Sequence, residues 1–102
     1  MEIIGESRLD EYAKKHRDAK SWLSAWRAIT IEAAWHRIQD VRKVYPHADA
    51  VKTDNDTMVT VINARGNTYR LLVGIRYDTQ RVYVWGFLTH ADYNKNRWKK
   101  RL

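Results

Sequence analysis

Two successive runs between Tyr69 and Thr89 alternate in a period of two, the mark of half-buried strands. In the first, Tyr69, Leu71, Val73, Ile75 and Tyr77 alternate with Arg70, Leu72, Gly74 and Arg76. In the second, beyond the turn residues Asp78 to Arg81, Val82, Val84, Gly86 and Leu88 alternate with Tyr83, Trp85, Phe87 and Thr89. Pairing Tyr77 with Val82 sets Ile75 against Val84, Leu71 against Leu88, Arg76 against Tyr83 and Arg70 against Thr89. That register joins the aliphatic rows, whereas a slip by one residue buries arginines without partners. It predicts one apolar face and a second face carrying Arg70, Arg76, Tyr83 and Trp85. A strand over Thr57 to Asn63 precedes these, joined by the turn Ala64-Arg65-Gly66-Asn67, in which Gly66 and Asn67 tolerate positive φ.

Upstream the period lengthens. Glu2 to Gly5 reads as a short edge strand. Ser7 and Asp10 have capping-box spacing, and Leu9, Tyr12, Ala13 and His16 recur at helical intervals, so a first helix is expected over Arg8 to Arg17. Asp18 is placed to cap a second helix, whose stripe Trp22, Trp26, Ile29 and Ala33 should cover the apolar sheet face. Burial, more than base stacking, is the expected use of those indoles. Trp35 to Tyr45 holds one more helical turn around Val41 and Val44, ended by Pro46. His47 to Asp56 reads as a connection with a little strand at Ala50 and Val51. Asp54-Asn55-Asp56 is a turn signal lacking the further ligands of a calcium loop. Thr89 is placed to cap a short final helix with Asp92 at its third position. The pattern is α+β, in a single domain spanning residues 1–102.

Composition narrows the function. The chain has 102 residues, 44% of them hydrophobic, with no cysteine and no run approaching a membrane span. Met-Glu-Ile-Ile-Gly lacks the regions of a signal peptide, so a soluble, cytoplasmic protein without membrane association is expected. Lys and Arg number 19 against 12 Asp and Glu, a net charge of +7, which favours a polyanionic partner. Basic residues crowd into Lys95 to Arg101, and five Trp offer rings on which bases stack.

No His-x-x-x-His or Glu-x-x-His pair suggests a metal site, and no nucleophile elbow or phosphate loop is present. Neither metal nor other cofactor is expected. An Arg-rich face with Tyr, Trp, His and Lys nearby suits metal-free RNA cleavage, in which the ribose 2′-hydroxyl attacks its own phosphate. That reaction needs a base, an acid and cations for the charged transition state. His90 is the first candidate for proton transfer. Tyr93 and Lys95 are placed to join it, with the tyrosine's pKa expected to fall beside Arg70 or Lys95. The competing reading makes His90 a capping residue, Tyr93 a core anchor and Lys95 to Arg101 a solvated tail.

The segments Asn63-Ala64-Arg65-Gly66-Asn67-Thr68-Tyr69-Arg70-Leu71, Val82-Tyr83-Val84 and Thr89-His90-Ala91-Asp92-Tyr93-Asn94-Lys95 together resemble the HigB family of toxins. Lys15-His16-Arg17-Asp18-Ala19, Trp26 and Tyr45-Pro46-His47-Ala48-Asp49 extend the resemblance over nearly the whole chain. It implies a RelE-like fold, with N-terminal helices packed on one face of a small antiparallel sheet. It also implies cleavage of messenger RNA, usually on the translating ribosome, and a cognate helix-turn-helix antitoxin that is HigA-like. Carried over by position, it marks Asn67, Arg70, Thr89, His90, Tyr93 and Lys95. Arg65 stands where relatives often have a second glycine, and Trp85 where they often have a basic residue.

On this reading Arg70, His90, Tyr93 and Lys95 are the expected catalytic set. Asn67, Arg65, Arg76, Trp85, Lys99, Lys100 and Arg101 are the expected RNA contacts. The alternatives are a non-catalytic RNA- or ribosome-binding module and a ribosome-independent RNase.

Overall fold

The computed structural model describes all residues, 1–102. A five-stranded sheet runs in the order β1-β5-β4-β3-β2, with β1 (Glu2–Ile4), β2 (Asp49–Lys52), β3 (Met58–Ala64), β4 (Tyr69–Arg76) and β5 (Arg81–Thr89). All pairings are antiparallel except the edge, where β1 lies parallel to β5. Helices α1 (Ser7–Lys15), α2 (Lys20–Glu32) and α3 (Ile38–Val44) precede β2, with a 3-10 turn over Arg17–Ala19. After β5 come α4 (His90–Asn94) and α5 (Trp98–Arg101). The α+β class, the helices before the sheet and the short C-terminal helix are as expected.

One sheet face carries Ile62, Ala64, Tyr69, Leu71, Val73, Val82, Val84 and Phe87, packed against Leu9, Leu23, Trp26 and Val41 of the helices. The α2 stripe is rotated from the expected one. Leu23, Trp26 and Thr30 are its buried residues, while Ile29 is exposed and Trp22 packs partly against Tyr45. A strict count of four, three and four fixed on the two large indoles and passed over Leu23. Neither expected side-chain cap forms: Glu6 precedes α1 and Ala19 precedes α2, both without a capping bond. Asp18 has other partners, described below.

The β4–β5 register differs from expectation in two ways. Ile75 pairs with Val82 and Val73 with Val84, two residues from the predicted alignment, so the aliphatic rows still meet. The connection is therefore Tyr77 to Gln80, closed by Gln80 at φ 58°, whose side-chain amide donates to the carbonyls of Tyr77 and Trp35. Beyond Val73 the register shifts, because Leu72 pairs with Gly86 while Val73 pairs with Val84. Trp85 is the extra residue of a β-bulge, and a bulge inverts which side chains face the core. Phe87 consequently enters the helix-side core, and Leu88 turns to the other face opposite Arg70. An unbroken period of two had predicted the reverse for both.

The second face is not an open basic surface. Val59, Val61, Leu72 and Trp98 form a second core there, with Val51, Trp85, Leu88, Tyr93 and Leu102 packed around it. The Lys95 to Arg101 segment is held down as α5 by Trp98. Its backbone is tied to the β2–β3 turn, where the amide of Asp54 donates to Lys99, Thr53 Oγ1 to Leu102, and Asn55 Nδ2 to Lys100.

Candidate active site

The β3–β4 turn builds one end of the site. Arg65 and Gly66 both adopt positive φ, 49° and 63°, the geometry of a primed hairpin turn. The expectation had placed Gly66 and Asn67 there. A non-glycine residue in that region costs about 1 kcal/mol or more. An ion pair offsets the cost, for Arg65 Nη1 donates to Asp18 Oδ2 at 2.6 Å while Tyr69 Oη donates to Asp18 Oδ1 at 2.7 Å. Asp18 thus pins the turn to the junction of α1 and α2, and the His16 ring, 4.8 Å from that of Tyr69, packs beside it.

Arg70 follows that turn on the second face. It is 8% exposed. Its Nη1 donates to the carbonyls of Asn67 and Tyr69 at 3.2 and 3.1 Å, and Nη2 donates to Asn67 Oδ1 at 2.7 Å. Three of the guanidinium's five N–H groups are committed, leaving Nε–H and one Nη2–H for an oxyanion. No carboxylate pairs with it, so the buried cation keeps its field for an incoming ligand.

Tyr93 lies under that cation, with the guanidinium carbon 5.5 Å from the ring centroid. Its other neighbour is Trp98, stacked at 5.3 Å with 17° between planes, whose Nε1 donates to the Tyr93 carbonyl. Burial raises the Tyr93 pKa; Arg70 opposes that rise, and Asp49 adds to it. The expected fall is therefore overturned, because desolvation of the phenolate outweighs the nearby cation. The phenol is un-ionised at neutral pH.

His90 is the first residue of α4, half-buried, and its amide donates to Thr68 of the same turn that carries Asn67. Its ring nitrogens have no protein partner. Thr89 caps α4 as expected, its Oγ1 accepting from the Asp92 amide at 3.2 Å. Lys95 closes the helix, with Nζ 3.5 Å from Asp92 Oδ1. Asn67, Arg70 and Tyr93 are thus gathered where the β3–β4 turn meets the start of α4, with His90 tied to that turn by its backbone amide and Lys95 one turn further along.

The other expected contacts are dispersed. Arg65 is paired to Asp18 on the helix side. Arg76 stands by the opposite turn in a two-point pair with Asp78, at 3.3 and 3.2 Å. Trp85 lies on the second face, its indole across Gly74, where an added Cβ would sit 2.3 Å from the ring. Lys100 and Arg101 are exposed on α5, while Lys99 reaches back over the Trp98 ring at 5.7 Å. Two contributors escaped the sequence reading. Trp98 lies within the basic run Lys95 to Arg101, where only its helical i, i+4 spacing with Leu102 signals burial. Asp49 was assigned to a connection, and only the fold brings it near Tyr93.

The Asp18 contacts make a prediction about acid stability. Tyr69 first, then Arg65, holds the Asp18 carboxyl below the usual carboxylate range, and Asp18 in turn raises the Tyr69 phenol. A depressed carboxylate stabilises the fold above its unfolded pKa near 4, and that contribution fades as pH falls through the folded value. Asp18→Asn is therefore expected to lower the melting temperature at pH 7, with the difference from wild type shrinking below about pH 4. Melting curves from pH 2 to 8 test this; a difference constant across that range contradicts the ion pair.

A model of the HigB toxin family, described as the RelE-like toxic component of a toxin-antitoxin system, matches residues 19–96. A curated relative, the mRNA interferase HigB of Escherichia coli O6:H1 (strain CFT073), is 29% identical over 93% of this chain and 90% of its own length. The mRNA interferase toxin HigB of Escherichia coli K12 and the mRNA interferase HigB of Shigella flexneri are each 23% identical over 92% of this chain and 88% of theirs. With the family match running from the junction of α1 and α2 through the Thr89-to-Lys95 segment, the chain belongs to the HigB family of RelE-like toxins.

Proposed function

We propose that this chain is a ribosome-dependent endoribonuclease that cuts messenger RNA without a metal and so arrests translation. It acts in the cytoplasm and is held in check by a HigA-like helix-turn-helix antitoxin. The observation that carries the reading is the Arg70 guanidinium, buried, unneutralised and fixed by Asn67 beside Tyr93 and the start of α4. The relatives' names as mRNA interferases support the substrate class. The donor set supports a metal-free route, since no three His, Asp or Glu side chains converge.

The reaction is a transesterification. His90 takes the proton of the ribose 2′-hydroxyl as that oxygen attacks the adjacent phosphorus. Negative charge builds on the phosphoryl oxygens, where the two free N–H groups of Arg70 are placed to receive it. The 5′-oxygen departs with a proton from the acid, leaving a 2′,3′-cyclic phosphate and a 5′-hydroxyl. Tyr93 fits the acid role, because its phenol, raised by burial, still holds its proton at neutral pH. Lys95 supplies a second cation or proton.

Induced expression should arrest growth and leave discrete new 5′ ends on transcripts, whereas folded Arg70→Ala should do neither. Mapping ends on two copies of one reporter, one with its start codon removed, tests the ribosome requirement. Ends confined to the translated copy support it, and equal cutting of both copies makes the protein a ribosome-independent RNase. Arrest without new ends replaces the enzyme with a binding module.

A further inference from the structure

A cleft of about 310 Å³ opens on the second sheet face between β5 and the C-terminal helices. Its floor is Leu72, Gly86 and Leu88, and its walls are Trp85 and Trp98. Lys95, Arg97 and Arg101 stand at its rim with a single acid, Asp92, which already faces Lys95. Arg97 and Arg101 form no ion pair. Trp98 is already engaged, stacked on Tyr93 and approached by the Lys99 ammonium at 5.7 Å. Trp85 is half-buried and more loosely flanked, by the Tyr83 ring at 6.5 Å with 25° between planes. The bulge presents it on this face, Gly74 lets it lie flat across β4, and it lines the open side of the cleft.

We propose that this cleft is a nucleotide subsite, in which one unpaired RNA base stacks on Trp85 while its flanking phosphates meet Lys95, Arg97 and Arg101. An apolar floor, a part-exposed indole and a cationic rim match a nucleotide, which has a flat π-face and a charged backbone. An apolar protein side chain would use the floor and leave the cations idle. The cleft adjoins the candidate active site, because Leu88 is the strand partner of Arg70 and the stacked Tyr93–Trp98 pair forms the wall between them. A base held there belongs to a nucleotide neighbouring the phosphate at Arg70. The assignment rests on the ribonuclease reading for its substrate class and adds where sequence preference arises.

The test is binding of short 2′-O-methyl RNA, which lacks the nucleophile, to the purified full chain, with an abasic site moved through each position. In wild type, one abasic position should weaken binding roughly five- to 150-fold, the range of single base–aromatic stacks. Trp85→Ala should weaken intact RNA by a similar factor and erase the penalty at that position, while Trp85→Phe restores it. The Arg97→Ala/Arg101→Ala variant should flatten the salt dependence. A flat abasic scan in wild type overturns the subsite whether or not any variant folds. So do penalties that add independently of Trp85, or a Trp85→Ala chain that loses only antitoxin binding. Cleavage of mapped transcripts is scored separately. A flat scan with intact cleavage removes the subsite alone, whereas a base-dependent scan with no cleavage removes the ribonuclease reading alone.

Discussion

Arg70→Ala should lower single-turnover cleavage at saturating RNA about a hundredfold, the usual effect of removing one fixed oxyanion donor. Lysine should not rescue it. A lysine ammonium has no planar fork to span the Asn67 carbonyl and Oδ1 while presenting further N–H groups outward. The alanine variant also leaves two backbone carbonyls short of a donor, costing about 1–3 kcal/mol if they stay dry, so activity must be compared at temperatures where both proteins are folded. Asn67→Ala separates the two effects. It removes the shortest contact to the guanidinium while leaving the cation, and a fall in the saturated rate of about tenfold is expected for a misaligned donor. Arg76→Ala serves as the control, because Arg76 is exposed, paired with Asp78 and placed at the far turn. Its loss should shift the concentration needed for saturation and leave the saturated rate intact. The reverse pattern would move the site to the other end of the sheet.

Trp98→Ala should be the more damaging change to the molecule. Truncating a buried indole costs about 3–5 kcal/mol, and Trp98 is the one buried helical side chain of the second core, 5% exposed against Val59, Val61 and Leu72. Its loss also removes the ring on which Tyr93 stacks and the donor to the Tyr93 carbonyl. Chemical denaturation should show an unfolding free energy lowered by that amount, and cleavage should fall even where the protein remains folded. Trp98→Phe keeps a stacking ring and should recover most of both. Full activity in a destabilised Trp98→Ala protein would detach Tyr93 from the reaction.

The strands were legible in the sequence because alternation is a local signal, and β4 was correctly divided between its two faces. The division of β5 failed at Trp85. A bulge inserts one residue without changing composition, so the code for Phe87 and Leu88 is inverted by an event that the period of two cannot register. Arg70 and Asn67 were brought into view by their spacing and by the family resemblance. That Arg70 is buried depends on Tyr93 and Trp98 folding back over it, a long-range fact. The same distance hides the role of Asp18, whose position before a helix reads as a cap while its partners lie beyond residue 64. The Tyr93 shift was misjudged for a related reason: sequence shows the neighbouring charge, whereas only packing shows the lost water.

The parallel edge joins the first strand to the last, Glu2 beside Arg81 and Ile4 beside Tyr83. During synthesis, then, β1 waits unpaired until some eighty residues later β5 has emerged. The second core waits longer still, since Trp98 must follow. Contacts so distant along the chain are slow to form, because loop closure precedes any gain from them. Arg70 therefore acquires its cover only once Tyr93 and Trp98 have been added to the chain. In a toxin assembled in this order, the buried setting of Arg70 is among the last parts of the fold to form.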